Sequence, residues 1–454
     1  MRSVLSLALL LAVPAAAQQV APAEPTPYQR AIAAGYKALT LCSGIFNAKR
    51  TEKQIEADEL AGIYPEYAGI VPTLGAEVDE NNAGVSVAFS PDLPPRRADL
   101  MPTGGCTLRP IAAATDPITD LRKLPPPQLD PRRWPLGDDG IAPRPSPVLA
   151  SRVAAAFDGR TYGAGKTIGV VILRDGSVAA ERYADGWGPL VPNRTWSVAK
   201  SIAGTLIGLA GVGVSEPASI ARWLRAGDPR GSIVLDNLLR MASGLGSDTA
   251  GNRTDAIYFG GGSVEEDATH WPLIARPGTR FRYANNDILL AVRSVRERME
   301  ADDEMIGPLR YAAWPRALFQ ALGMKRTAAE QDWRGDYILS SQVWSTARDL
   351  ARLGQLWLQD GVWQGKRLLP EGWMTYMTTP SGPQPATGPG YGATLWLFGP
   401  KQGLPAGSYA AQGNRGQYVM VIPSERLVIV RRGEDPGPAR FDIARFAADV
   451  MKAR

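Results

Sequence analysis

Residues 193–211 read NRTWSVAKSIAGTLIGLAG, and this stretch constrains the chain more than any other. Beyond Lys200 come Ile202, Leu206, Ile207 and Leu209, spaced for a helix too apolar to sit on a surface. Such a helix is buried and central, so the remaining chain has to be built around it. Ser197 and Lys200 share its first turn and one face. A serine there has its own backbone N–H and the positive end of the helix dipole close to its hydroxyl, which favours an anion forming nearby. A lysine drawn off the surface loses solvation; its charged form is disfavoured and it can accept a proton. The pair has the logic of an activated nucleophile. Alone, Ser-x-x-Lys carries little information, since a chain of this length contains about one by chance. A capped helix with a solvated lysine is the competing reading, and the rest of the chain decides between them.

The flanking patterns suggest what encloses the helix. Residues 167–173 and 177–183 are rich in β-formers and are separated by Arg174-Asp175-Gly176, a hairpin signal. Residues 417–422 and 427–432 flank a Pro423-Ser424-Glu425 turn, and an amphipathic helix is expected over 441–451. Between these ends lie helical patterns at 235–245, closed by Gly244, at 315–322, and at 346–358 with Ser345 placed to cap. Strands at both ends with helices in the middle predict an α/β (α+β) unit: one antiparallel sheet, flanked by helices, with a mostly helical lobe inserted. This unit is expected over residues 147–454, opening with a helix at 148–157. Before it, residues 124–146 are proline-rich and read as an extended connector. Residues 18–123, with a helix at 28–41 and alternating pieces such as 84–89, form a small accessory module whose role the sequence does not disclose.

With 454 residues and 44% hydrophobic content the chain can bury a large core in two or three folding units. The formal charge of +5 comes from arginines scattered among acids, without the dense basic block of a nucleic-acid binder. MRSVLSLALLLAVPAAAQQ at the N-terminus has a positive start, a short apolar core and Ala15-Ala16-Ala17, so residues 1–17 are expected to be a secretory signal cleaved near Ala17. Its core is too short to cross a bilayer and no other segment is long enough, so no membrane span is expected. A periplasmic or secreted location follows. In an oxidising compartment Cys42 and Cys106, the only cysteines, are expected to pair. Two cysteines and one histidine do not supply a usual metal set, so no metal and no organic cofactor are expected.

The single histidine, His270, precedes Pro272 in a polar helix end and reads as a surface or rim residue. A serine hydrolase on this chain therefore needs lysine or tyrosine as base. Tyr283-Ala284-Asn285 supplies a tyrosine, whose phenolate two nearby cations would stabilise, and an asparagine able to bridge Lys200 and a substrate carbonyl. Trp196, Trp344 and Trp396 are candidates to line a cleft.

RTWSVAKS, LDNLLRMASGL, PGTRFRYANND, LFQALGMKRT, STARDLARLGQLWLQDGVWQGKRLLPEGW and AAQGNRGQYVMVIPSERLVIV occur in an order that resembles the serine β-lactamase-like superfamily, closest to class C β-lactamases, related esterases and 6-aminohexanoate-dimer hydrolases. The resemblance covers about residues 148–451. It implies that Ser197 is the acylated nucleophile, Lys200 its proton partner, Tyr283 the general base and acid, and Asn285 the second member of the Tyr-x-Asn motif. It also implies an oxyanion hole from the Ser197 N–H and one N–H near the third motif. There the chain departs: Ala411-Gln412-Gly413 stands where the family carries Lys-Thr-Gly or His-x-Gly, which puts the second donor at Asn414 and leaves no cation for a β-lactam carboxylate unless Arg415 substitutes. The expected activity is hydrolysis of small-molecule amides or esters through an acyl-enzyme. The alternatives are a D-stereospecific peptidase or β-lactamase acting on cell-wall-type substrates, and an acylated sensor that does not turn over.

Overall fold

The computed structural model describes residues 24–114, 127–141, 143–247 and 254–453. The expected signal at 1–17, residues 18–23 and 115–123 of the expected module, and residues 124–126 and 142 of the expected connector lie outside them. Helix α1 (Pro27–Cys42) is entered through a capping box between Thr26 and Gln29, with Pro27 at its first turn. It is buried from Ala31 to Cys42 against a four-stranded meander, β1 (Ala76–Asp79), β2 (Gly84–Val87), β3 (Arg96–Leu100) and β4 (Cys106–Leu108). The Cys42–Cys106 disulfide, Cα–Cα 6.2 Å, ties the end of α1 to β4.

The larger unit begins with α2 (Pro147–Ala155) and the hairpin β5 (Thr167–Arg174) and β6 (Ser177–Tyr183). Asp175 and Gly176 turn it with φ of 52° and 79°, the two left-handed positions that a tight right-twisted hairpin requires. Then come α3 (Val198–Ala210), α4 (Asn285–Asp302) and α5 (Ala347–Leu358), the strands β7 (Gly390–Tyr391), β8 (Trp396–Phe398), β9 (Ser408–Gly413), β10 (Gln417–Ile422) and β11 (Leu427–Gly433), and α6 (Ile443–Lys452). The strands form one sheet in the order β7-β8-β9-β10-β11-β5-β6, antiparallel throughout, so the first and last strands of the unit meet at the β11–β5 pair as expected.

Alternate residues of each central strand feed two cores. Val170 and Ile172 of β5 join Leu149 and Val153 of α2 and Phe446 and Val450 of α6 on one face. Val171 and Leu173 join Ile202, Leu206, Leu350 and Leu353 on the other. The strands read as unbroken apolar runs because helices cover both faces. Helix α3 is enclosed as its composition demands: Ile202, Leu206 and Ile207 are fully buried. Three indoles donate to it, Trp314 to the Leu206 carbonyl (3.1 Å), Trp357 to the Thr205 hydroxyl (2.8 Å) and Trp373 to the Gly204 carbonyl (3.2 Å). Gly208 admits the last of these, since a Cβ there would lie 2.4 Å from the Trp373 ring nitrogen.

Three local expectations differ. The helix expected at 235–245 stops at Leu239, because Met241 at φ 60° and Gly244 at φ 78° turn the chain back while Ser243 donates to Asp287 (2.8 Å). Thr346 rather than Ser345 caps α5, its hydroxyl accepting from the Asp349 N–H at 3.1 Å, since Ser345 ends a short strand paired with Asn193. The described part of the proline-rich segment is no free tether: Arg352 donates to the Pro135 and Gly137 carbonyls (2.6 and 2.7 Å) and Trp134 to the Gly176 carbonyl (2.8 Å).

The N-terminal segment shares one apolar core with the larger unit, Tyr36 packing on Phe259 at 4.4 Å, and polar contacts add to it. Thr107 donates to the Gln331 carbonyl (3.0 Å), Arg326 to the Asn47 carbonyl (2.7 Å), and Ser43 to the carboxyl of Glu330. Burial pushes Glu330 up to about 7 from an ordinary value of 4.5. In the folded state it therefore keeps a proton that the unfolded chain gives up above pH 4.5, so stability falls as pH rises towards 7 and the loss is complete above it. Glu330→Gln, which cannot ionise, should be nearly neutral at pH 5 and stabilising at pH 8 by up to about 3 kcal/mol in denaturant unfolding. A variant equally affected at both pH values would contradict this assignment.

Candidate active site

The site starts from how the chain enters α3. Residues 193–194 form a short strand beside 343–345, and Arg432 of β11 grips its carbonyls, donating to Asn193 (2.9 Å) and Arg194 (3.3 Å). Trp196 then sits at φ 50°, a conformation strained for a bulky residue, and delivers Ser197 to the head of α3. The Arg194 guanidinium stacks 3.9 Å from the Trp196 ring and holds it there.

Lys200 is 1% exposed, and its Nζ lies 2.9 Å from Ser197 Oγ, 2.7 Å from Asn285 Oδ1 and 2.8 Å from the Ser340 carbonyl. As an ammonium it donates to all three. As a neutral amine it has two N–H groups for Asn285 and Ser340, and one lone pair left for the Ser197 hydroxyl. Burial favours the second state, pushing Lys200 well below the ordinary 10.5, and the positive charge of Arg194 adds to the shift. Among the described residues no ion pair links Lys200 to a carboxylate.

The Tyr283 ring centroid lies 5.1 Å from Lys200 Nζ, and Tyr283 lines the same cavity as Ser197 and Trp396. Tyr391 and Trp396 pack around the ring at 5.9 and 5.2 Å. Burial raises Tyr283 to about 12, outweighing the opposing influence of its polar neighbours Ser197 and Trp396. A cation-stabilised phenolate was the expectation, but desolvation wins: the tyrosine is held as a phenol. Its loop is fixed by the preceding Arg282 N–H to Met241 carbonyl bond (2.8 Å), and Asn285 begins α4.

Gly413 closes β9 against Ser197. A Cβ there would lie 2.4 Å from the Thr195 carbonyl and 3.1 Å from the Ser197 nitrogen, so only glycine permits this approach. Gln412, Gly413 and Asn414 line the same cavity, of about 660 Å³, as Ser197, Tyr283 and Asn285. The sequence candidates thus meet in one place. Ala411 is buried in the sheet and brings no charge. Arg415 does not replace the absent cation: it pairs with Glu434 (2.7 Å) and donates to the Asp58, Ala61 and Gly62 carbonyls at 2.8, 2.9 and 3.1 Å. Trp196 and Trp396 line the cavity, whereas Trp344 is 2% exposed and belongs to the interior. His270 is exposed, with Nδ1 3.2 Å from the Glu266 carbonyl, as a rim histidine would be.

Two contributors went unread in the sequence. The Ser340 carbonyl is backbone and leaves no residue-type signal. Tyr36 and residues 62–65 reach the cavity from the N-terminal segment, which nothing local to those residues announces.

A Ser-x-x-Lys pair at the head of a buried helix, facing a Tyr-x-Asn loop and a strand of an antiparallel sheet, defines the serine β-lactamase-like class. The chain belongs to the Beta-lactamase family, which it matches over residues 153–451. Among solved structures it is similar to a putative 6-aminohexanoate-dimer hydrolase from Bacillus anthracis (20% identity, 63% of this chain and 78% of that one, TM-score 0.51). It is likewise similar to a putative beta-lactamase from Bacteroides dorei (17% identity, 68% and 99%, TM-score 0.52). No curated protein matches the chain.

The arrangement sets a serine hydroxyl against a buried amine at the head of a helix. Gly413→Ala must force β9 away from Thr195, so labelling of Ser197 by a fluorophosphonate should slow by roughly 10²-fold or more while the circular dichroism stays native. An unchanged labelling rate would remove β9 from the site.

Proposed function

We propose that the protein is an exported serine hydrolase that cleaves small amides or esters through an acyl-enzyme on Ser197. The observation that carries this reading is the 2.9 Å contact between Ser197 Oγ and a buried Lys200 whose other two partners are both acceptors. In acylation the Ser197 hydroxyl gives its proton to the Lys200 lone pair as Oγ bonds the substrate carbonyl carbon. The carbonyl oxygen becomes anionic between the Ser197 and Asn414 N–H groups. As the intermediate collapses, the C–N or C–O bond breaks and the leaving group takes a proton relayed from Lys200 through the Tyr283 phenol. A water then repeats the sequence on the ester and frees Ser197. Asn285 fixes Lys200 and presents its amide to the cleft.

A small amide or ester is favoured over a β-lactam or D-peptide because Ala411 is apolar and Arg415 is already fully engaged. In this reading residues 147–454 are the hydrolase and the N-terminal segment is an added module. Export is supported by the leader-like residues 1–17 and by the disulfide.

With p-nitrophenyl acetate, wild type should show a burst of one p-nitrophenol per protein followed by steady turnover, and Ser197→Ala should show neither. Release by Ser197→Ala at the wild-type rate would mean another nucleophile. Tyr283→Phe should lower kcat by at least about 10² with KM within a few fold. An unchanged kcat would leave the proton relay to Lys200 alone.

A further inference from the structure

The family match begins at residue 153, yet part of the cavity wall comes from residues far upstream of it: Tyr36 of α1 and residues 62–65. Tyr64 stands edge-on to Trp196, the residue before the nucleophile, with ring centroids 6.2 Å apart at 88°. It is backed in turn by Tyr36, at 6.4 Å and 85°. Its segment is a fixed wall. Three carbonyls just before it, those of Asp58, Ala61 and Gly62, receive the Arg415 guanidinium, and Gly62 also accepts from the Gly437 N–H at 3.1 Å. Arg415 itself follows directly on Gly413 and Asn414, so one side chain ties this wall to the strand end beside Ser197.

The chemistry of the cavity is aromatic. Its charged groups are engaged or peripheral: Arg415 pairs with Glu434, Asp435 with Arg431, and Arg440 is exposed, donating to the Gly437 and Ala439 carbonyls. Tyr283, which faces the leaving group in the reaction above, is bounded by Tyr391 and Trp396. Tyr64 is coupled to the nucleophile from elsewhere, through Trp196.

We propose that Tyr64 determines specificity, and that the N-terminal segment makes this a hydrolase for esters or amides of arylacetic-type acids, whose flat acyl ring packs against Tyr64 and Trp196. The proposal rests on Ser197 as the nucleophile. Ring–ring contacts of this kind support discrimination of about tenfold.

The test compares p-nitrophenyl phenylacetate with p-nitrophenyl acetate, which share a leaving group and differ only in the acyl ring. Tyr64→Ala should lower kcat/KM for the phenylacetate about tenfold and change that for the acetate less than twofold. Tyr64→Phe, which keeps the ring, should restore the phenylacetate rate to near wild type. A phenylacetate-to-acetate ratio unmoved by Tyr64→Ala, or a Tyr64→Phe variant as impaired as Tyr64→Ala, would overturn the proposal while leaving the hydrolase intact. Absence of Ser197-dependent release from either ester by wild type would overturn the nucleophile reading, and this one with it.

Discussion

The structure depends on burying one amine without a carboxylate. An isolated ammonium in a protein interior is costly, and a buried lysine commonly responds by losing its proton. Lys200 is surrounded by a hydroxyl, an amide oxygen and a main-chain carbonyl, with the guanidinium of Arg194 as an additional repulsive charge. The fold thus spends stability to hold a proton acceptor against Ser197. The enclosed helix α3, the indoles that seal it and the sheet behind it all keep water from this amine.

A second theme is the use of buried arginines as main-chain clamps. Arg432 holds the strand leading to Ser197, and its own burial lowers it to about 9. Arg352 holds the proline-rich segment, and Arg415 holds the 58–62 turn to the end of β9. Each satisfies several carbonyls that irregular chain would leave unpaired, which is how loops without secondary structure become precise. The backbone at Trp196 and Gly413 can be strained or close-packed because these clamps fix it from outside.

Much of this was legible in the sequence, for physical reasons that can be named. Helix α3 announced itself because its apolarity admits no surface position, and the β5–β6 hairpin because Asp-Gly suits two left-handed residues. The ordered motifs around Ser197, Tyr283 and Gly413 picked out residues that line one cavity, since spacing and residue type both constrain them. What escaped depended on distant contacts. Ser345 looked like a cap but is recruited by Asn193, so the role passes to Thr346. Trp344 resembled a cleft residue and is interior. Arg415 resembled a spare cation until the N-terminal carbonyls consumed it. Tyr283 looked poised to ionise, but burial outweighs its neighbours. Tyr64 carries no local sign that it lines a cavity with Ser197, more than a hundred residues away.

The central claim is that desolvation makes Lys200, and not Tyr283, the group that takes the serine proton. The pH dependence of the first-turnover acylation rate separates the two, because burial pushes Lys200 well below 10.5 and Tyr283 up to about 12. If neutral Lys200 is the base, the rate should rise with pH and level off well below 10.5, where the buried amine is already deprotonated. A rate still climbing beyond pH 10, towards the value near 12 at which Tyr283 ionises, would contradict the account and return the base role to the phenolate.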